Sequence, residues 1–186
     1  MIARLFLCLL LACALPAFGQ PRALDVTVTR GDSDGGHVYS VGASGVVAAA
    51  PAKVWKILTD YERMPEFVPD MRSARVLARD SYRVTLEQTG VARFLFFRRD
   101  IHLVVQILEQ PMSRIDVGLV SGDMRLYHCR WELQPLDAGG TRIVYSGQLA
   151  PKFYVPGMLG ANMIRSDIEK MMTAVLDRLD RPDQAG

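Results

Sequence analysis

The sequence predicts an α+β fold in which a curved antiparallel sheet of seven or eight strands wraps one long C-terminal helix, with two short helices after the first strands. Three observations carry the prediction. From Met71 to Pro151 the chain is a succession of runs that alternate apolar and polar residues, separated by turn signals. From Ala161 to Leu179 apolar residues recur at steps of three and four, the period of a helix face. The alternating runs leave one apolar face, and the helical stripe is the element available to cover it.

Residues 1–19 stand apart from that fold. One cation at Arg4, an apolar run from Leu5 to Leu15 and the small-x-small triplet Ala17-Phe18-Gly19 before Gln20 read as a secretory signal peptide. The run is shorter than the roughly 20 residues that span a bilayer. Cleavage near Gly19 and a mature protein in the periplasm or secreted are therefore expected. The competing reading is "LLAC", Leu10 to Cys13, as a lipoprotein box that leaves an anchored, acylated Cys13.

After the leader, "ALDVTVTR" alternates as a half-buried strand, and the turn-rich "GDSDGG" leads into "HVYSVGASGVVAAA", which makes a hairpin. In "PAKVWKILTD" the period changes. Pro51 suits a first helical position, and Val54, Ile57 and Leu58 share a face. "YERMPEF" extends this by a helical turn or two before Pro65 interrupts it and Pro69 closes it.

The strand runs that follow are "SARVLARD", "SYRVTLEQTG", "ARFLFFRRDIHLVVQILEQ", "SRIDVGLV", "RLYHCRWELQPL" and "TRIVYSGQLAP", with breaks at Gly90, Pro111, "SGD" and "DAGG". Parity places Tyr127, Cys129, Trp131 and Leu133 on one face and His128, Arg130, Glu132 and Gln134 on the other. Likewise Val84 and Leu86 oppose Arg83, Thr85 and Glu87, and Ile115, Val117 and Leu119 oppose Arg114 and Asp116. The terminal helix carries Ala161, Ile164, Ile168, Met171, Met172, Val175 and Leu179 as its stripe, with Arg165, Glu169, Lys170, Asp177 and Arg178 on the other side. Gly157 and Gly160 at its entrance read either as a lid hinge or as plain helix-start flexibility. The order strand, short helices, meander, long helix is the helix-grip arrangement.

Composition narrows the function classes. The chain carries 22 Lys and Arg against 20 Asp and Glu, one of the cations being Arg4 in the leader, so no nucleic-acid binder is indicated. Of three cysteines only Cys129 lies beyond the leader, which excludes an internal disulfide. Cys129 reads as a small buried apolar residue or as a reactive thiol. With three histidines, no HExxH, no paired cysteines and no phosphate-cradling glycine loop, no metal or cofactor is expected. His128 and Cys129 are adjacent on a strand, so they emerge on opposite faces and form no thiolate pair. Asp100 and His102 share a face with Arg98 and Gln106, which reads as solvent. Tyr82, Tyr127, Tyr145 and Gln88 are the polar groups available to point inward.

"APAKVWKILTDYERMPEFVP", the meander, and "GDMRLYHCRWELQPLDAGGTRIVY" before an amphipathic helix resemble the polyketide cyclase and coenzyme Q-binding branch of the START-like superfamily, from about Val46 to Leu179. Asp60, Tyr61, Pro65, Phe67 and Pro69 stand at that family's spacing, as do Trp131, Pro135, Gly140 and Thr141. The resemblance implies a hydrophobic cavity between sheet and helix that binds a lipid, a quinone or another flat apolar molecule. It divides the chain into an N-terminal strand and loop extension (residues 20–45), a ligand-binding domain (46–182) and a disordered tail (183–186).

The inward faces then nominate the ligand contacts. These are Phe67 and Val68 at the mouth, and Val84, Leu86, Phe94, Leu103, Val117, Leu119, Tyr127, Cys129, Trp131 and Tyr145 on the sheet. Met158, Met163, Ile164, Ile168 and Met171 belong to the helix or its entrance, where thioethers adapt to different shapes. For Phe67 a second reading stands, in which it closes the core between the short helices and the sheet. Phe94, Phe96 and Phe97 beside Arg98 and Arg99 read as a rim that touches a membrane transiently, or as two strands and a turn with solvated arginines. The function expected is a monomeric, non-catalytic binding or transfer protein. The alternatives are an aromatase or cyclase using Arg99 or an inward tyrosine, and a protein-interaction module without a ligand.

Overall fold

A computed structural model of the protein describes residues 24–33, 36–94, 97–155 and 157–181. The signal-peptide and lipoprotein readings and the tail of residues 183–186 lie outside the described residues, as do the side chains of Phe94 and Met158.

Eight antiparallel strands form one sheet: β1 (Asp25–Ser33), β2 (Gly36–Val47), β3 (Met71–Asp80), β4 (Arg83–Phe94), β5 (Phe97–Gln110), β6 (Arg114–Gly122), β7 (Met124–Pro135) and β8 (Thr141–Pro151). Their order is β1-β2-β8-β7-β6-β5-β4-β3. Helix α1 (Pro51–Leu58), a 3-10 segment (Tyr61–Glu66) and the long helix α2 (Gly157–Asp180) complete the helix-grip. Strand β1 extends the sheet as an edge strand beyond β2 and pairs with it from Asp25↔Ser44 to Ser33↔Gly36.

The parity read from sequence is the parity of the fold. Val84, Leu86, Val105, Ile107, Ile115, Cys129, Trp131, Leu133, Ile143 and Tyr145 are buried on the concave face. Against them pack Ile168, Met172, Val175, Leu176 and Leu179 of α2. Pro51 starts α1, its Val54 and Leu58 are buried one turn apart, and the Thr59 hydroxyl closes its last turn on the Trp55 carbonyl at 2.8 Å. Buried Thr141 donates to the Ala49 carbonyl at 2.8 Å, tying the start of β8 to the chain entering α1.

Two expectations need correction. Tyr82, a candidate inward phenol, is 60% exposed in the turn between β3 and β4, where parity no longer holds. Arg165, assigned to the outer side of the helix, is half-buried and donates to the Val26 carbonyl of β1. Strand β1 covers that flank of the helix, and the long arginine stem packs along it while its head takes a backbone acceptor.

Among the described residues no helix is long and apolar enough to cross a membrane.

Candidate functional site

Helix α2 packs chiefly on β1 and β2, at one end of the sheet order, while the sheet continues through β5, β4 and β3 on the far side. The concave face there is incompletely covered, and a cavity of about 270 Å³ opens between helix and sheet. Its walls are Gln88 to Ala92 of β4, Ile101 and Leu103 of β5, Tyr127 of β7, Tyr145 and Leu149 of β8, Asp167, Ile168, Lys170 and Met171 of α2, and the chain from Val68 to Met71.

That last stretch is held from both ends. Upstream, the Tyr61 hydroxyl donates to Glu109 Oε1 at 2.8 Å, and Arg79 Nη1 reaches both oxygens of the same carboxylate at 3.2 and 3.3 Å. Burial, and then the Glu109 carboxylate, push the Tyr61 phenol well above its ordinary range, so it stays a donor. Downstream, Asp70 adopts φ 62°, its carboxylate accepts from Arg93 Nε at 2.6 Å, and its carbonyl accepts from Val91 N at 2.9 Å. A Cβ on Gly90 would lie 2.8 Å from that carbonyl. Gly90 therefore marks a close backbone approach inside β4, where the sequence suggested a break between strands.

The prolines thus set a short bridge whose apolar residues divide. Val68 faces the cavity. Phe67 packs against the core, with the Arg178 guanidinium 5.9 Å from its ring centroid, so it closes the joint between the 3-10 segment and the last turns of α2.

The inner wall carries a connected polar group. Cys129 Sγ lies 3.8 Å from Tyr127 Oη, and Tyr145 interacts with both. The Tyr145 ring leans on Trp131 at 4.8 Å between centroids, tilted by 59°. Burial pushes the Cys129 thiol up to about 11 and raises the Tyr145 phenol, while the neighbouring Cys129 and burial together raise Tyr127. All three are neutral at physiological pH. At the rim, burial raises the Asp167 carboxyl against the opposing pull of Lys170, whose Nζ lies 3.3 Å away.

Of the residues nominated from sequence, the structure brings Val68, Leu103, Tyr127, Tyr145, Ile168 and Met171 together around the cavity. Val84, Leu86, Cys129 and Trp131 are buried in the core behind it, and Val117, Leu119, Met163 and Ile164 pack against that core. Arg99 stacks over the Phe153 ring at 4.8 Å, away from the cavity wall. Asp100 pairs with Arg72, and His102 with Glu87, both on the exposed face as expected. Sequence reasoning missed Ile101 and Leu149, although parity with Leu103 and Tyr145 signals both. It also missed Asp167, and it placed Lys170 on the outer side of the helix; both flank the apolar stripe on the side where the sheet is left open.

A larger hollow of about 750 Å³ lies across the sheet's other face, lined by Ser40, Gln106, Asp116, His128, Arg130, Ser146 and Gln148, with Val117, Leu119 and Cys129 at its floor. There Asp116 is already engaged by Arg130 at 2.6 Å and by Arg114 at 2.9 Å. Among the described residues no cluster of His, Cys, Asp and Glu could hold a metal ion.

Residues 47–176 match the family described as polyketide cyclase / dehydrase and lipid transport, and the chain belongs to that family. No curated protein sequence matches it. Among solved structures, a START superfamily protein from Mycobacterium smegmatis aligns with TM-score 0.66 at 18% identity, over 76% of this chain and 97% of that one. A STAR-related lipid transfer protein from Xanthomonas axonopodis gives 0.63 at 19%, over 84% and 99%. The Zhui aromatase/cyclase from Streptomyces sp. R1128 gives 0.64 at 15%, over 77% and 92%. At these identities the likeness is one of fold, a START-like fold shared by proteins named as a lipid transfer protein and as an aromatase/cyclase.

Proposed function

We propose that this protein is an exported, non-catalytic carrier that binds or transfers a hydrophobic small molecule in the cavity between α2 and the sheet. The observation that carries the reading is the character of the cavity wall. Val68, Ala92, Ile101, Leu103, Leu149, Ile168 and Met171 make it mostly apolar, and its uncharged polar groups are few: the Tyr127 and Tyr145 phenols, Gln88 and Thr89. Such a lining suits retention, because small-molecule sites are mostly apolar with a few placed polar groups. An apolar ligand losing about 300 Å² of surface to water gains roughly 7 kcal/mol before immobilisation costs, at about 25 cal/mol per Å². Export is supported by the leader-like residues 1–19. The aromatase or cyclase reading retains Tyr127 and Tyr145 as its polar groups, while Arg99 stands outside the cavity wall.

Native mass spectrometry of the protein purified gently from its own periplasm tests the carrier. A co-purifying apolar molecule, released and identified by extraction, is the expected result. No adduct, and no saturable binding across quinones, fatty acids and sterol-like probes, would overturn it. A turnover lost in Tyr127→Phe or Tyr145→Phe while ligand binding persists would favour the enzyme.

A further inference from the structure

Tyr127 and Tyr145 stand on neighbouring strands, on the same concave face, and flank the Cys129↔Gly147 pair of the β7–β8 ladder. A Cβ at Gly147 would stand 2.8 Å from Cys129 Cβ, so glycine at this position leaves room for the Cys129 side chain beside the two phenols. Both phenols line the cavity, and among the described residues their hydroxyls interact with each other and with the Cys129 thiol, whose Sγ lies 3.8 Å from Tyr127 Oη. A thiol is a weak donor and a weak acceptor. A carbonyl oxygen arriving at this end offers a stronger acceptor than sulfur, and donors whose bonding within the protein is weak gain the most from it. Among the described residues that line the cavity, Lys170 is the one cation. The charged groups on the wall, Asp70, Asp167 and Lys170, sit at the rim, where Asp70 pairs with Arg93 and Asp167 with Lys170.

We propose that the inner end of the cavity is a recognition site for a neutral hydrogen-bond acceptor, with Tyr127 and Tyr145 donating to a ketone-like carbonyl on an otherwise apolar, ring-sized ligand. The inference rests on the carrier reading and specifies its ligand. The cavity's 270 Å³ accommodates one or two fused rings, so a longer apolar tail leaves through the rim between Val68–Met71 and α2. A carboxylate is disfavoured at the inner end, because two neutral phenols and a thiol solvate a charge poorly and no cation balances it.

The test compares three bicyclic probes of similar size: tetralin, which has no acceptor; α-tetralone, which adds a carbonyl; and α-naphthoate, a flat bicycle that carries a charged carboxylate. Titrated into the full mature chain, α-tetralone is expected to bind at least tenfold tighter than tetralin, and α-naphthoate no tighter than tetralin. Tyr145→Phe and Tyr127→Phe should each remove most of the α-tetralone advantage and leave tetralin binding unchanged. Cys129→Ala, which leaves both phenols in place, should retain that advantage. Equal binding of tetralin and α-tetralone by the wild type, equal losses for both probes in the tyrosine variants, or tightest binding of α-naphthoate would overturn the recognition site while leaving the carrier standing. Failure of all three probes to bind would overturn both.

Discussion

Cys129 shows how one position separates chemistry from packing. Its place on an alternating strand left open a buried filler or a reactive thiol, because parity says which face a side chain takes and nothing about depth. The structure leaves it 5% exposed, with burial raising the thiol from 9.0 to about 11. Since the thiolate is the nucleophile, two pH units of displacement make the native thiol roughly a hundredfold less reactive at neutral pH than an unfolded one. Iodoacetamide at pH 8 is expected to label the denatured chain at least that much faster than the native one, with the native rate climbing toward pH 11. Equal labelling of both would contradict the buried assignment. Phe67 was ambiguous for a related reason. The prolines around it announce a kink, but its alternatives differ only in whether α2 reaches it, and the contact that settles the matter, with Arg178, is more than a hundred residues away in sequence.

Among the elements, the entrance of α2 carries a constraint that composition disguised. Gly160 reads in sequence as a hinge or a loose helix start, yet a Cβ there would stand 2.3 Å from Tyr39 Oη and 2.7 Å from Val155 Cγ1. It is a site of close packing against β2. Tyr39 is 1% exposed, and its hydroxyl has no hydrogen-bond partner among the described residues. Gly160→Ala should therefore cost about 1–3 kcal/mol of stability through overpacking, while Tyr39→Phe should be near neutral or stabilising, since it removes an unpaired buried hydroxyl. In chemical denaturation the double variant should recover at least half of the Gly160→Ala loss. Strict additivity would show that the two groups do not collide. Strands, helices and their order were legible because period and turn residues are local signals. The break placed at Gly90 was misread because a glycine that admits another backbone looks, in sequence, like one that turns. Arg165 was misplaced because the helical wheel records charge, whereas β1, which packs on that flank, enters only through tertiary structure.

At the scale of the whole molecule, the cavity arises from a mismatch: the sheet has eight strands, and α2 lies mainly over β1 and β2 at one end of it. The sequence identified the two surfaces that face each other, and with them six residues of the cavity wall, but not how far the helix is offset across the sheet. That offset decides which inward residues line the cavity and which, like Val84, Leu86 and Trp131, fill the core. It also sets where a substitution should act. Met171 projects from α2 into the cavity, while Leu108 is 47% exposed on the opposite face of the sheet, where it lines the larger hollow. The most direct test is a fluorescence titration with the neutral apolar probe N-phenylnaphthylamine in wild type, Met171→Arg and Leu108→Arg. One saturable site in the wild type, weakened at least tenfold by Met171→Arg and unchanged by Leu108→Arg, is the predicted result; no saturable binding, or a loss in Leu108→Arg equal to that in Met171→Arg, would contradict a ligand site between helix and sheet.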